Sequence, residues 1–171
     1  ATAALTMFAA QSYGTSAEKI ANLATFEGVI DTVCAAGCGT DNAGNKFVIF
    51  SDYSEFKVDK PEVINMKNIL CYFYFKDGTI LEIRSKNGTY NNVTLDMNFA
   101  ENVNMFYQES TLFSDIADFN NSDSQLSIEG NVKTVNPNGD LVADKLNFDF
   151  IDKKLKISMY DQNKVNIKTK F

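Results

Sequence analysis

One phrase, written three times and echoed a fourth, restricts this chain more than any other feature. It reads "FSDYSEF" at 50–56, "FSDIADF" at 113–119 and "VADKLNF" at 142–148, with "RSKNGTY" at 84–90 as the fainter copy. Each copy has a Ser or Ala, then Asp (Lys in the faint copy), then an aromatic four residues further on. The marked positions Asp52, Lys86, Asp115 and Asp144 are 34, 29 and 29 residues apart. A period of roughly 20–50 residues is the mark of stacked supersecondary units, each too small to bury its apolar face alone.

A second phrase recurs inside each unit, a short apolar alternation followed by Asn and a β-branched residue. Its versions are "VINMKNI" at 63–69, "LDMNFAENV" at 95–103, "LSIEGNV" at 126–132 and the looser "LKISMYDQNKV" at 155–165, where Lys164 separates Asn163 from Val165. Another alternating run follows, as in "LCYFYF" at 70–75. Period-two alternation places every second side chain on one face of a strand. One unit therefore reads as strand, turn, strand, tight Asn-containing corner, strand. Asp77-Gly78 and Asn138-Gly139 are two-residue hairpin signals. Asn87-Gly88 lies inside a repeat phrase and reads as a turn or a bulge. Pro61 and Pro137 fall in polar stretches that read as turns. Residues 26–171 are expected to form one all-β, antiparallel domain of stacked hairpins.

Residues 1–25 read differently. "ATAALTMFAAQSYG" is either what remains of a signal peptide or anchor, or an ordinary N-terminal segment. "TSAEKIANLATF" at 15–26 has helical spacing, with Thr15 or Ser16 as cap and Glu18 three residues after Thr15.

The residue types exclude much. The net charge is -6, which repels an anionic polymer, so nucleic acid is not an expected partner. There is no His, so neither a Ser-His-Asp triad nor a His-containing zinc site can be assembled. Nothing singles out a pair of carboxylates for acid–base work, and no enzyme, cofactor or metal site is expected. Cys34 and Cys38 either pair across their Gly-rich loop in an oxidising compartment or remain free thiols. Cys71 sits among apolar residues and reads as a buried thiol. The repeated Asp has two readings. One is structural, bonding a turn or a neighbouring strand. The other is a ladder of carboxylates for a cation, but calcium loops need several carboxylates within a few residues, and no unit supplies them.

Alternation assigns an inward face that is large and soft. It comprises Ile69, Cys71, Phe73 and Phe75, then Leu81 and Ile83, then Val103, Met105 and Tyr107, then Leu112, Val132 and Leu141. The aromatics closing each first strand are Phe56, Tyr90, Phe119 and Phe148, with Leu146 beside the last. These residues fit two outcomes equally, a closed sandwich core or a groove that admits an apolar ligand.

The stretch "LVADKLNFDFIDKKLKISMYDQNKVNIK" resembles the repeat of the lipopolysaccharide-transport bridge proteins, the LptA/LptC superfamily, also called OstA-like. That unit runs Ala-Asp-x-x-x-Tyr/Phe, a Leu-x-Leu/Ile strand, then Gly-Asn-Val. Here Ala143, Asp144 and Phe148 match it, as do Ser114, Asp115 and Phe119 with Gly130-Asn131-Val132. "TFEGVID" and "DNAGNKFVIFSDYSEF" are similar to the first hairpin of the LptC-related branch. The departures are the "VCAAGCGT" insertion and Lys86.

The resemblance implies a twisted β-jelly-roll with open edges, in the periplasm and associated with the inner membrane. It implies that lipopolysaccharide acyl chains lie between the sheets, lined by the inward residues above. The inner-membrane ABC transporter would dock at the N-terminal edge and supply the energy by ATP hydrolysis. An LptA-like protein would pair strand to strand with the C-terminal edge at Lys164, Val165, Asn166, Ile167 and Lys168. The rival expectation is a structural or adhesive β-repeat protein with a closed core and no lipid.

Overall fold

The computed structural model describes residues 37–160 and a strand at 166–169. The candidate helix at 15–26, the boundary near residue 25, and Cys34, Lys164 and Val165 lie outside the described residues. Among those described there are ten strands and no helix. They are β1 (Gly37–Thr40), β2 (Lys46–Lys57), β3 (Lys60–Tyr74), β4 (Ile80–Asn91) and β5 (Met97–Tyr107). β6 (Ser110–Asn120), β7 (Gln125–Asn136), β8 (Gly139–Asp149), β9 (Leu155–Ser158) and β10 (Asn166–Thr169) complete the set. All pair antiparallel in one sheet of order β1-β2-β3-β4-β5-β6-β7-β8-β10, with β9 also on β8. The all-β stacked-hairpin expectation holds. The Asp77-Gly78 and Asn138-Gly139 turns join β3 to β4 and β7 to β8. Two details differ. The Asn corners do not end strands but sit within them, and Pro61 is the second residue of β3 rather than part of a turn.

Those corners give the sheet its shape. Asn68, Glu101, Asn102, Gly130 and Asn131 all have left-handed backbones, with φ between 50 and 78 degrees. They fall at matching heights on β3, β5 and β7. The register shifts beside them, between Arg84 and Asn87, Ala100 and Val103, Phe113 and Ile116, and Glu129 and Val132. A bulge of this kind bends its strand and sharpens the twist. Aligned across successive strands, the bulges form a crease that folds one sheet into two facing arms. Arm I holds β1, residues 46–51, 69–74, 80–85, 103–107, 110–114, 132–136 and 139–143, and β10. Arm II holds residues 53–57, 60–67, 87–91, 97–100, 116–120, 125–129 and 145–149, and β9.

The repeated phrase is the crease seen from the even-numbered strands. Its Ser or Ala faces inward and is buried, at Ser51, Ser85, Ser114 and Ala143. The next inward residue is three positions on rather than two, at Ser54, Gly88, Ala117 and Leu146, which places two residues side by side on the outer surface. Asp115 and Ile116 show this plainly, for both are exposed. Small residues occupy the inside of the fold because the space there is short. A Cβ on Gly88 would stand 2.1 Å from the Asn98 carbonyl oxygen and 2.7 Å from Ile69 Cδ1.

The Asp of each phrase binds the corner of the next strand. Asn68 Nδ2 donates to Asp52 Oδ2 at 3.0 Å, and Asn131 Nδ2 donates to Asp115 Oδ2 at 2.7 Å. In the last unit the Tyr160 backbone N–H donates to Asp144 Oδ2 at 2.6 Å. The faint copy keeps the contact with its charges reversed. Lys86 Nζ lies 3.2 Å from Glu101 Oε2, and Asn87 Nδ2 donates to Glu101 Oε1 at 2.7 Å. Lys86 thus stands where the other units have Asp, and Glu101 where β7 has Gly130. The ion pair and the Asn87 hydrogen bond hold the Glu101 carboxyl below its usual range. Lys86→Asp should lower the urea midpoint, because two carboxylates then face each other across adjacent strands. Adding Glu101→Gly should recover that loss, since it recreates the pairing of Asp115 with Gly130-Asn131. An unchanged midpoint in the single variant would remove the crease pairs from the account of stability.

Candidate functional site: the space between the arms

The two arms meet through aromatic rings. Phe73 of arm I lies 5.0 Å from Phe119 of arm II and 4.9 Å from Phe150, just beyond β8. Phe75 lies 5.1 Å from Phe150, and Phe47 lies 6.0 Å from Tyr90. These tilted and edge-on contacts, at centroid separations of roughly 4.5–7 Å, are the favoured aromatic geometry. The gap between the arms is therefore filled along its middle.

Most of the inward face expected from alternation gathers here. Ile69, Cys71, Phe73, Phe75, Leu81, Ile83, Tyr90, Val103, Met105, Phe119, Val132 and Leu146 are all buried in one apolar cluster. Tyr107, Leu112, Leu141 and Phe148 are partly buried against it. Phe56, near the end of β2, is half-buried and does not belong to that cluster. Burial pushes the Cys71 thiol far above its usual range, so it is an inert packing group. Cys38 is disulfide-bonded. It stands in register with Val48, on the opposite face from Phe47. There Val48, Phe50 and Tyr72 make a second, smaller apolar cluster, against which Cys38, Leu70 and Tyr74 pack.

The inward face assigned from the sequence omits much of the lining. Phe47, Ile49, Ile64, Met66, Met97, Phe99, Leu126, Ile128 and Phe150 are equally buried. Phe150 had a signal, as the next alternate residue after Leu146 and Phe148. It lies past the end of β8, tied there by its backbone N–H to the Ser124 carbonyl at 2.9 Å.

The ends of the arms are joined at two places. The Asn42 backbone N–H donates to Asn121 Oδ1 at 2.7 Å, linking the β1–β2 turn to the β6–β7 turn. Lys153, in the β8–β9 turn, pairs with Asp77 of the β3–β4 turn. Its ammonium also lies 5.0 Å from the centre of the Phe75 ring. The Lys153 contact and hydrogen bonds from Thr79 hold the Asp77 carboxyl well below the usual carboxylate range.

Beyond the Lys153–Asp77 link the arms part around a cavity of about 290 Å³. Arm I contributes Leu81, Met105, Tyr107, Leu112 and Thr134, and arm II contributes Leu126, Ile128, Phe148 and Leu155. Gln108, Ser110 and Lys153 complete its rim. Of the expected lining residues, Leu81, Met105, Tyr107, Leu112 and Phe148 border this open space, while the others, Phe56 apart, lie in the closed core. At the adjoining sheet edge Asn166, Ile167 and Lys168 belong to β10, in register with Val142, Leu141 and Asp140.

No protein-family model and no curated protein matches the chain. Among solved structures it is similar to LptH from Pseudomonas aeruginosa, described as the LptA-homologous periplasmic component of the lipopolysaccharide transport device. The likeness has a TM-score of 0.53 at 6% identity and covers 71% of this chain and 92% of that one. At that identity it is a likeness of fold, and the creased antiparallel sheet described above is a β-jelly-roll of the LptA kind.

Proposed function

We propose that this chain is a periplasmic bridge component of lipopolysaccharide transport that holds acyl chains between its two arms and performs no chemistry of its own. The observation that carries the reading is the combination of an LptA-like jelly-roll with an apolar, solvent-reaching cavity between its arms. Transfer would be passive. Each methylene moved from water to an apolar wall gains about 0.8 kcal/mol, and a row of similar sites lets a lipid advance without a deep trap. The strand edges provide docking by strand addition, with the N-terminal edge toward the ABC transporter at the inner membrane and the β10 edge toward an LptA-like protein.

A photo-crosslinking side chain at Leu155, on the cavity rim, should capture lipopolysaccharide in intact cells. The same group at Val58, in the β2–β3 turn and 74% exposed, should not. Leu112→Asp should reduce capture at Leu155 at least tenfold, since an unpaired carboxylate on an apolar wall is strongly disfavoured beside an alkyl chain. The ring contacts along the middle of the gap favour a second reading, a structural β-repeat protein with a closed core. Equal labelling at Leu155 and Val58, or no labelling at either, would favour that reading and remove the first.

A further inference from the structure

The cavity is bounded in a way that specifies an occupant. Inward of Leu81 and Phe148 the rings of Phe73, Phe75 and Phe150 stand 4.9–5.1 Å apart and block the gap. Outward it reaches solvent beside Gln108 and Leu155, both exposed. Its volume of about 290 Å³ is roughly twice that of an apolar cavity known to hold one benzene. Space on that scale takes about ten to twelve carbon atoms, which is one alkyl chain and not several.

The polar groups are gathered at the mouth. Lys153 is the one charged residue among those lining the cavity. Its ammonium has three donors, and Asp77 is the one side-chain acceptor the described residues give it. Ser110 and Gln108 stand at the same rim. One layer further in, on β7 opposite Leu112, Thr134 presents a buried hydroxyl with no hydrogen-bond partner. Buried hydroxyls are rarely left unpaired, so an occupant with oxygen atoms near its outer end would satisfy both Thr134 and the rim.

We infer that the cavity holds one unbranched acyl chain of about ten to twelve carbons, with its anionic head at Lys153. This rests on the lipid-carrying reading for the kind of ligand, and adds the number of chains, their length and the charge of the head. The cavity would grip one chain of a larger lipid, or a single-chain amphiphile by itself.

Calorimetric titration of the purified full chain with sodium octanoate, decanoate, dodecanoate and hexadecanoate, all below their micelle concentrations, tests it. Affinity should rise about fourfold per added methylene as far as decanoate or dodecanoate and then level off. Lys153→Met should weaken dodecanoate about tenfold and leave dodecanol unchanged. Ile128→Trp, which fills the cavity with an apolar ring, should abolish binding of both. Ile128→Tyr, a smaller ring at the same position, should weaken both and shift the levelling-off to shorter chains, which keeps the test readable if Ile128→Trp fails to fold.

Three results would overturn the inference: no binding of dodecanoate, affinity that climbs undiminished to hexadecanoate, or equal loss of dodecanoate and dodecanol in Lys153→Met. These outcomes separate from those of the transport reading. Dodecanoate binding without lipopolysaccharide capture at Leu155 removes the transport role and keeps the cavity. Capture without dodecanoate binding does the reverse.

Discussion

Phe73→Ala is expected to lower the free energy of unfolding by about 3–5 kcal/mol, a large share of what a domain of this size has available. Phe73 is fully buried on β3 and faces Phe47 of its own arm at 5.9 Å. It also faces Phe119 and Phe150 at 5.0 and 4.9 Å. The latter two belong to the other side of the gap. Removing the ring therefore costs its transfer free energy, leaves a void the β-strands can only partly collapse, and cuts the contact that holds arm I against arm II. The measurement is urea denaturation followed by circular dichroism, with the slope unchanged if the variant stays two-state. Phe73→Leu keeps most of the volume and should cost roughly a third as much. A loss below about 1 kcal/mol in the alanine variant would mean the arms are not held together by their rings.

The same substitution has a second readout. Phe73 is in register with Leu81 on the wall of the cavity. Deleting the ring should extend the cavity inward, so the levelling-off of fatty-acid affinity should move to longer chains even as the protein loses stability. A purely structural core would lose stability and show no such shift. The two outcomes come from one purified variant, which makes Phe73 the sharpest residue at which to separate a closed core from a chain-holding trough.

The repeat was legible because it recurs in register, and its turns were legible because Asp77-Gly78 and Asn138-Gly139 carry their own backbone chemistry. The crease was not. Period-two counting assumes that inward and outward faces alternate without interruption, but each even-numbered strand breaks parity once, as at Ser51 and Ser54 or Ser114 and Ala117. On β3 the left-handed Asn68 does the same, so counting from Phe73 backward through Ile69 gives the wrong face for Ile64 and Met66. On β5 and β7 the parity is unbroken, from Met97 and Phe99 to Val103 and from Leu126 and Ile128 to Val132; there the Asn corner, expected to end a strand, stops the count short, and Phe47 and Ile49 of arm I are passed over as well. Lys86 looked like a defect because its partner Glu101 lies on another strand, a distance in sequence that spacing cannot bridge without the fold. The cavity rim was invisible for a related reason. Lys153 sits in a polar turn, and only folding brings it to Asp77, 76 residues away.

The inside of the crease is where the fold should be least tolerant of added atoms. Gly88→Val is expected to be as damaging as the loss of Phe73, for the opposite reason. Gly88 needs no unusual backbone angle, since its φ lies outside the left-handed region. What it needs is absence of bulk. A Cβ there would overlap the Asn98 carbonyl oxygen of β5 at 2.1 Å and press Ile69 Cδ1 of β3 at 2.7 Å. The first obstacle is backbone within the β4–β5 ladder, where Gly88 is in register with Phe99, so it cannot rotate aside as a side chain would. Overpacking a core typically costs about 1–3 kcal/mol and more when backbone must move. Gly88→Ala should already cost toward the upper part of that range, and Gly88→Val more. The β4–β5 pairing should loosen first, which amide hydrogen exchange can localise to residues 87–91 and 97–100 while the β6–β8 amides stay protected. If Gly88→Val melts with the parent and exchanges like it, the crease is not a tight fold at that point. The small residue in each repeat would then need another explanation.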